Sequence, residues 1–276
     1  MLEKITHEYY ESVDSTNDRL KVRAREGEAQ GLVISAGYQS AGKGRTGRKW
    51  QSPTGDSIST SMLIRPEEVP IEAVPTITIL AAMAVRDALK KTCGLDGKIK
   101  WPNDIVVGGK KICGILTEME LKGSSVDFVI CGIGVNVHNK EFSEDIAFKA
   151  TSVDAELEKI HSMAADEGAQ VEKSKFDENN SPDRGSRKQI TYAIWESFRD
   201  YYNQFIQTYD LTNLKEEYEA HLANKGNRVR IEDPRGAYEA VAVGINNKGA
   251  LIVDVDGQRR EIESGEVSVR GLYGYV

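Results

Sequence analysis

The chain has 276 residues, of which 39% are hydrophobic, and it carries a formal net charge of -7. This length supports one large hydrophobic core with a smaller appended domain, and the acidic balance argues against nucleic acid as the main partner. No apolar run approaches the roughly 20 residues of a membrane span, and the polar N-terminus does not resemble a signal peptide.

Cysteine and histidine usage narrows the class of protein further. The three cysteines are odd in number and lack C-x-x-C spacing, which predicts buried thiols in a reduced, cytoplasmic compartment. The four histidines are scattered along the sequence, which therefore contains no metal-ligand cluster and no obvious His-based catalytic triad.

The first predicted elements are a short helix and a buried strand. Asp14-Ser-Thr-Asn17 precedes a helical pattern over 18–25, with Ser15 or Thr16 as its N-cap. Hydroxyl groups at a helix N-terminus can also face a polar ligand, and the two roles are compatible. A strand over Gly31–Gly37 then leads into a glycine-rich loop.

The most informative stretch is Gly37–Trp50, which we term the basic loop. Its interleaved glycines and cations are Gly42, Lys43, Gly44, Arg45, Gly47, Arg48 and Lys49. Glycine lets backbone N–H groups approach an anion closely, and Arg supplies fork-shaped donors for phosphate or carboxylate oxygens. In an acidic protein this loop predicts an anionic ligand, with a solvated surface loop as the alternative.

Two familiar glycine motifs match the basic loop but fail on context. Gly37–Gly44 resembles a P-loop, except that Gly44 stands where Ser or Thr should hold magnesium. Gly42–Gly47 has dinucleotide-type spacing, but a turn follows it instead of a helix. The H-R-D and D-F-G strings of protein kinases do not occur in the sequence. We therefore expect a phosphate-binding loop of another fold.

A sheet covered by a helix is predicted for the central region. Ser57–Ile64 has the pattern of a strand, and apolar residues at helical spacing over 74–92 predict a core-packed helix that ends at Gly94. Pro102 interrupts the next strand, which resumes over Ile105–Val107.

Two longer strands follow, joined by a glycine-containing turn. They are predicted over Lys110–Met119 and Val126–Val137. Gly132 and Gly134 weaken the second strand, and glycines in such positions often allow a ligand to lie against the backbone. Lys111 is either a solvated charge at a strand end or a partner that faces the basic loop.

The C-terminal half combines a polar segment, two helices and a small β domain. Residues 139–162 give a mixed pattern, and 164–188 are polar, which predicts a surface insertion or a lid. Helices are predicted over 190–208 and 214–222, and five short strands after Val229 predict a small, partly open barrel.

Several segments resemble the signature blocks of biotin protein ligases, and they occur in the same order. The blocks are Asp14–Asn17, Tyr38–Trp50, Lys100–Asp104, Lys111–Leu116 and Gly132–Asn136. The resemblance implies an α+β fold, in which residues 1–225 form a catalytic domain related to class II tRNA synthetases and the biotinyl/lipoyl ligases. That domain has a mixed sheet with flanking helices, and an SH3-like β-barrel over 226–276 follows it.

The implied reaction has two steps and uses ATP and Mg²⁺. Biotin and ATP give biotinyl-5′-adenylate and pyrophosphate, and biotin is then transferred to a lysine of a biotin carboxyl carrier protein. Joining a carboxylate to a phosphate brings two anions together, so a basic loop opposed by a lysine suits this chemistry without a protein nucleophile. The alternatives are a lipoate-type ligase and a biotinyl-adenylate-binding regulator without transfer activity.

The resemblance also implies which residues form the site. The implied catalytic cations are Lys111, Arg45 and Arg48. The implied biotin-binding residues are Ser15, Thr16, Asn17, Gln39, Gly42, Lys43, Gly44, Arg45, Lys111, Gly114 and Gly132. The implied adenylate-binding residues are Arg45, Arg48, Trp50, Asn103, Lys111 and Asn136, with Asp104 as a magnesium ligand. Ordinary packing remains the alternative for Trp50, and a turn remains the alternative for Asn103 and Asp104.

The sequence departs from the family pattern at Lys43, where the usual loop carries Arg. Lysine keeps the charge but lacks the bidentate fork of a guanidinium group. Because the sequence opens directly on the ligase domain, a DNA-binding repressor is disfavoured. A homodimer is compatible with the resemblance, since relatives often dimerise through the sheet. We expect the basic loop to become ordered over a bound adenylate.

Overall fold

A computed structural model describes residues 1–50, 53–166, 184–233, 236–264, 268–271 and 275. The first seven strands form one mixed sheet. They are β1 (Thr6–Tyr10), β2 (Leu32–Ala36), β3 (Ser57–Ile64), β4 (Lys98–Lys100), β5 (Asp104–Val107), β6 (Lys110–Lys122) and β7 (Ser125–Asn136). The α-helices are α1 (Thr16–Arg25), α2 (Thr76–Cys93), α3 (Glu144–Ala147), α4 (Val153–Asp166), α5 (Arg184–Phe205) and α6 (Lys215–Ala220).

The order of strands in this sheet is β1-β2-β3-β7-β6-β5-β4. β1 and β2 are parallel because α1 connects them as a crossover, whereas all other neighbours in the sheet pair antiparallel. Side chains of β3, β7 and β6 alternate between the two faces of the sheet. The predicted mixed sheet with flanking helices is confirmed.

One face of the sheet is covered by α2 and α5, which pack against each other. Met62 and Cys131 belong to the large hydrophobic core on this face. Trp195 of α5 is fully buried, and its Nε1 donates a hydrogen bond to Thr60 Oγ1 at 2.9 Å. A buried indole N–H needs a hydrogen-bond partner. This need explains why a polar residue stands at position 60 on an otherwise apolar strand face.

The opposite face carries α1 over a smaller hydrophobic cluster. Leu20 of α1 packs with Leu63, Phe128 and Ile130 of the sheet. The helix begins at Thr16, so Ser15 is the N-cap, and the side chain of Ser15 accepts a hydrogen bond from the backbone N–H of Asp18. Beyond the N-terminus of α1, the same face of the sheet is covered by the basic loop.

The five C-terminal strands form a second, antiparallel sheet. They are β8 (Arg228–Asp233), β9 (Gly236–Ile245), β10 (Leu251–Val255), β11 (Gln258–Ile262) and β12 (Ser268–Gly271). Their order is β11-β10-β9-β8-β12, and within the described residues no pairing of β11 with β12 closes a barrel. The predicted five strands are therefore confirmed, in the form of an open sheet.

The second sheet shares one hydrophobic core with the larger sheet and α2. Val229 and Leu251 of the second sheet belong to the same hydrophobic core as Leu80 of α2. Trp101, fully buried, donates from Nε1 to the Gly249 carbonyl oxygen at 2.9 Å. This shared core explains how the C-terminal strands are held beside the larger sheet, and the predicted division between residues 225 and 226 stays a prediction.

The helices around the polar segment differ from the sequence prediction. α4 at Val153–Asp166 is not anticipated by the mixed pattern of 139–162, because its buried face includes a carboxylate, Glu156, which accepts a hydrogen bond from Thr151 Oγ1 at 2.5 Å. α5 begins at Arg184, well before the predicted start at Ile190. The hydrophobic pattern misses this start because the first turns of α5 are polar. The predicted insertion at 164–188 is thus helical at both described ends, and its central part, 167–183, lies outside the described residues. Within the described part of the chain, no helix combines the length and apolar character needed to cross a membrane.

Candidate active site

Two rows of residues, all small except Leu116, line the sheet beyond the N-terminus of α1. Ser61 is paired with Gly132, which is paired with Leu116, and in the next row Gly134 is paired with Gly114. The side chains on this face are therefore large under α1, where leucine and isoleucine lie, and mostly small beyond it, where serine and glycine lie. The result is a shallow floor, and residues of α1 and the basic loop lie directly on it.

The glycines of this floor permit close approach by two specific side chains. A Cβ atom at Gly132 would lie 2.2 Å from Asn17 Oδ1, and one at Gly134 would lie 2.4 Å from the Trp50 ring. Either contact is far below a van der Waals distance, so any other residue at these positions would displace Asn17 or Trp50. Glycine in β7 is thus required by the site itself.

The basic loop folds back on itself above the floor. Gly44 N–H donates to the Arg48 carbonyl oxygen at 2.7 Å, and Trp50 N–H donates to the Gly42 carbonyl oxygen at 3.0 Å. These bonds bring the indole of Trp50 down onto Gly134. The indole Nε1 is buried without a hydrogen-bond partner among the described residues. An unsatisfied buried donor is costly, so the position suits a residue that moves when a ligand enters.

Between the loop and the floor lies a cavity of about 60 Å³. The predicted site residues that line it are Ser15, Thr16, Asn17, Gln39, Lys43, Gly44, Arg45, Trp50, Asn103, Lys111, Gly114 and Gly132. The predicted residues outside its lining are Gly42, Arg48, Asp104 and Asn136. Residues that line it without being predicted as site residues are Ser61, Ile115, Leu116, Ile133 and Gly134.

One end of the cavity is a network of uncharged polar groups. The Gln39 Oε1 atom accepts the backbone N–H of Thr16 at 2.8 Å. Thr16 Oγ1 lies 2.7 Å from Ser61 Oγ, which donates to Asn17 Oδ1 at 2.6 Å. All of these side chains except that of Gln39 are buried. This end can therefore bind a neutral ligand that has both hydrogen-bond donors and acceptors.

The other end of the cavity is cationic. Lys111 Nζ lies 2.6 Å from Asp104 Oδ1, and the Tyr275 hydroxyl donates to Asp104 Oδ2 at 2.5 Å. Arg45 Nη1 donates to Asn103 Oδ1 at 3.0 Å and Nη2 donates to the Ser264 carbonyl oxygen. Lys111 and Arg45 thus converge on one cavity from β6 and the basic loop.

Burial and charge shift the titration of the groups around Lys111. Burial lowers the pKa of Lys100 to about 8, an effect that the Asp104 charge opposes, and its Nζ lies 3.4 Å from the centre of the Tyr275 ring. Burial acts to raise the pKa of Asp104, but the charge and hydrogen bond of Lys111 together with the Tyr275 hydrogen bond hold it below its ordinary value. Burial also lowers the pKa of Arg45. Lys111 pairs directly with the buried Asp104 carboxylate, and the charge of Lys100 also acts on it.

The remaining predicted residues lie around this cavity. Arg48 is exposed at the end of the loop's short 3₁₀ turn. Lys43 forms an ion pair with Asp18 of α1 at 2.7 Å. Asn136 is buried and donates to the Thr151 carbonyl oxygen at 3.0 Å, so it ties β7 to the segment before α4. Their predicted roles toward a ligand stay predictions.

The additional lining residues carry only a weak signal in the sequence. Ser57, Ser59 and Ser61 alternate with apolar or threonine side chains along β3, which indicates that one strand face is small and polar. Ser61 could be inferred from that alternation. Leu116 carries no such signal, because its position on the floor depends on where α1 begins.

Comparisons with known proteins agree with this fold. Residues 9–136 match the Biotin/lipoate A/B protein ligase family, and residues 226–270 match the Biotin protein ligase C terminal domain. The "Bifunctional ligase/repressor BirA" of Bacillus subtilis is 30% identical over 263 residues, which are 95% of this chain and 73% of that protein. The "Biotin--[acetyl-CoA-carboxylase] ligase" of Paracoccus denitrificans is 30% identical over 94% of this chain and 98% of its own length.

A solved structure gives the same result. The biotin protein ligase from Aquifex aeolicus, determined in complex with biotin and ATP, superposes with a TM-score of 0.72 at 25% identity. The superposition covers 96% of this chain and 98% of the Aquifex chain. The identity and the coverage, over both sheets, place the chain in the biotin protein ligase family, a family of ligases.

Proposed function

We propose that this chain is a cytoplasmic biotin protein ligase. It would activate biotin with ATP to biotinyl-5′-adenylate and transfer the biotinyl group to a specific lysine of a biotin carboxyl carrier protein domain. The observation that carries the proposal is the polarity of a single cavity, which has neutral hydrogen-bonding groups at one end and Lys111 with Arg45 at the other.

The neutral end matches the donors and acceptors of a cyclic urea. Ser15 Oγ accepts the Asp18 N–H, which leaves its own hydroxyl hydrogen available to a ligand carbonyl. Asn17 Oδ1 and the oxygen of Thr16 are acceptors for ligand N–H groups. A lipoate dithiolane ring offers neither kind of group, so burying these polar side chains against it would leave them unpaired. This difference favours biotin over lipoate as the substrate.

The cationic end suits the union of two anions. In the first step, a carboxylate oxygen of biotin bonds to the α-phosphorus of ATP and pyrophosphate leaves. Lys111 and Arg45 lower the repulsion between the carboxylate and the phosphate, and they stabilise the negative charge of the transition state. The carboxylate of Asp104 is the ion-pair partner of the Lys111 ammonium in the structure. Binding of substrate would therefore exchange one carboxylate partner of Lys111 for another.

The second step also requires no nucleophile from this chain. The amine of the acceptor lysine bonds to the carbonyl carbon of the adenylate, and AMP leaves. The cysteines are fully or nearly buried, and burial raises the pKa of Cys131 to about 12. Such a thiol remains protonated and inert at neutral pH. Direct transfer from adenylate to acceptor is thus the route that the residues support.

Nucleotide enzymes commonly bind magnesium through one protein carboxylate together with phosphate oxygens and water. The cationic end can bind magnesium only in this way. Asp104 is the predicted carboxylate, and its two oxygens contact Lys111 and Tyr275. Among the described residues there is no group of three or more carboxylate, histidine or cysteine ligands that could hold the ion by themselves. Magnesium bound there would neutralise phosphate charge.

The decisive experiment measures each step separately with purified protein. Biotin-dependent exchange of pyrophosphate into ATP reports adenylate formation, and incorporation of labelled biotin into an isolated carrier domain reports transfer. We expect both with biotin and neither with lipoate. Exchange without incorporation would identify a biotinyl-adenylate-binding regulator, and exchange with lipoate alone would identify a lipoate ligase.

A further inference from the structure

Glu118 of β6 lies behind the neutral end of the cavity without lining it. Its side chain is on the same face of the sheet as Gly114 and Leu116, and it is about one quarter exposed, at 27%. Glu118 Oε2 accepts a hydrogen bond from Asn17 Nδ2 at 2.7 Å, and Oε1 lies 2.6 Å from Lys21 Nζ. One carboxylate therefore connects α1 to β6 at the point where Asn17 enters the site.

The carboxylate of Glu118, with the Leu116 carbonyl oxygen at 3.5 Å as a weaker second acceptor, fixes the orientation of the Asn17 amide. A carboxylate paired with an ammonium group has only acceptor oxygens, so the NH₂ group of Asn17 must face it. The amide oxygen of Asn17 then faces Ser61, whose hydroxyl donates to it at 2.6 Å. Gly132 leaves the space for this arrangement, because a Cβ there would lie 2.2 Å from Asn17 Oδ1.

The orientation of Asn17 determines, in turn, where the hydroxyl hydrogens of Ser61 and Thr16 point. Since Ser61 uses its only hydrogen on Asn17, its oxygen must accept from Thr16 Oγ1, which lies 2.7 Å away. Gln39 Oε1, which accepts the Thr16 N–H, is also an acceptor for Thr16 Oγ1 at 3.1 Å, so the single hydroxyl hydrogen of Thr16 is used within this network. Lone pairs, not hydrogens, are consequently left free on Thr16, Ser61 and Asn17 Oδ1.

We propose that Glu118 is a positioning residue that sets the donor and acceptor polarity of the biotin-ring end, through Asn17 and Ser61. This inference rests on the proposed function, because it takes the ligand at this end to donate N–H groups. An uncharged amide at position 118 can donate as well as accept. Asn17 could then turn over, Ser61 and Thr16 could reverse their hydrogens, and donors would meet donors in the ligand.

The test compares biotin binding to the wild type and to Glu118→Gln by titration calorimetry. We expect Glu118→Gln to weaken binding about tenfold, the scale of one mispaired hydrogen bond to a charged group. The Michaelis constant for ATP should change by less than about twofold, because the nucleotide end is remote from Glu118. Glu120→Gln is the matched control, since Glu120 on the same strand pairs with Arg25 at 2.5 Å and neither lines the cavity nor contacts Asn17.

An exchange of the two side chains separates orientation from mere stability. In the double variant Asn17→Asp with Glu118→Gln, the amide at 118 donates to the carboxylate at 17, and Ser61 still donates to an oxygen at 17. We expect each single variant to bind biotin about tenfold more weakly and the double variant to recover to within about threefold of the wild type.

Two results would overturn the inference: wild-type affinity in Glu118→Gln, or a double variant that binds no better than the weaker single variant. If Glu118→Gln fails to fold, the exchange pair alone decides, because it preserves the hydrogen-bond polarity. Wild-type protein that binds no biotin would instead refute the proposed function and leave the geometry of Glu118 unaffected. The two failures are therefore distinguishable.

Discussion

At the scale of single residues, Lys111 is the group on which the proposed chemistry depends most. Its ammonium lies 2.6 Å from the buried Asp104 carboxylate, at the cationic end of the cavity. We expect Lys111→Ala to lower biotin-dependent pyrophosphate exchange by about 100-fold or more, because charge stabilisation by a preorganised cation is a large part of such barriers. Exchange of labelled pyrophosphate into ATP measures the effect.

The control for this prediction is the neighbouring lysine. Lys110 begins the same strand, and its Nζ donates to the Ala147 carbonyl oxygen at 3.3 Å on the exposed side. Lys110→Ala should keep exchange within about twofold of the wild type. Comparable activity in the two variants would show that Lys111 is an ordinary strand-end charge.

Lys100 gives a prediction about stability and pH. Its pKa falls from 10.5 to about 8 in the folded protein, chiefly through burial. Between about pH 8 and 10.5 the unfolded chain therefore binds more protons at this group than the folded protein does. The contribution of Lys100 to the free energy of unfolding consequently increases with pH over this range. The full change is on the order of 3 kcal/mol.

The comparison that isolates this effect uses Lys100→Met. At pH 7 the wild type bears the full cost of a buried cation, and this cost fades as the pH rises through 8. The unfolding free energy of the wild type should thus increase relative to Lys100→Met between pH 7 and 10, measured by guanidinium unfolding. A difference that stays constant over this range would mean that Lys100 keeps an ordinary pKa.

At the scale of elements, the small-residue floor of the sheet is what creates the site. β7 supplies Gly132, over which Asn17 lies too closely for any side chain. We expect Gly132→Ala to weaken biotin binding at least about tenfold, because Asn17 must move and the network with Ser61 breaks. Ser59→Ala alters the same sheet face without lining the cavity, and its affinity should match the wild type. Equal affinities for both variants would contradict this account.

The elements that the sequence predicts well are those in which local pattern and tertiary burial agree. β3 is observed over Ser57–Ile64, as its pattern predicts, and α2 at Thr76–Cys93 lies within two residues of prediction. α4 is missed because it buries Glu156 among its apolar residues, so its stripe is not purely hydrophobic. The buried carboxylate of Glu156 is stabilised by a hydrogen bond from Thr151. The periodicity of the sequence does not indicate such a partner.

The candidate site divides in the same way. The signature blocks predict the residues that line the cavity from α1, the basic loop and the start of β6, including Thr16, Arg45 and Lys111. They do not predict Glu118, because a residue that acts through Asn17 contributes no group of its own to the cavity. Nor do they predict Tyr275, which lies 171 residues from Asp104 in the chain. Such a contact is decided by the fold of the whole molecule.

At the scale of the whole molecule, the C-terminal segment completes the cationic end of the site. Tyr275 donates to Asp104, and its ring lies beneath the Lys100 ammonium at 3.4 Å. Burial and the Asp104 charge raise the pKa of Tyr275, so its hydroxyl stays protonated and able to donate. Ser264 adds a backbone carbonyl acceptor for Arg45. Two described residues of the C-terminal region thereby contact three groups of the larger sheet and basic loop.

Tyr275→Phe tests whether this contact matters for the first reaction step. The variant keeps the ring beneath Lys100 but removes the hydrogen bond that holds Asp104 toward Lys111. We expect pyrophosphate exchange to fall about tenfold while biotin affinity stays unchanged, because the polar network with Thr16 and Asn17 lies at the other end of the cavity. Tyr238→Phe, in β9, is the control and should leave both quantities at wild-type values. Because a folding defect would weaken both quantities together, a parallel loss of exchange and biotin affinity in Tyr275→Phe would argue against a role at the phosphate end.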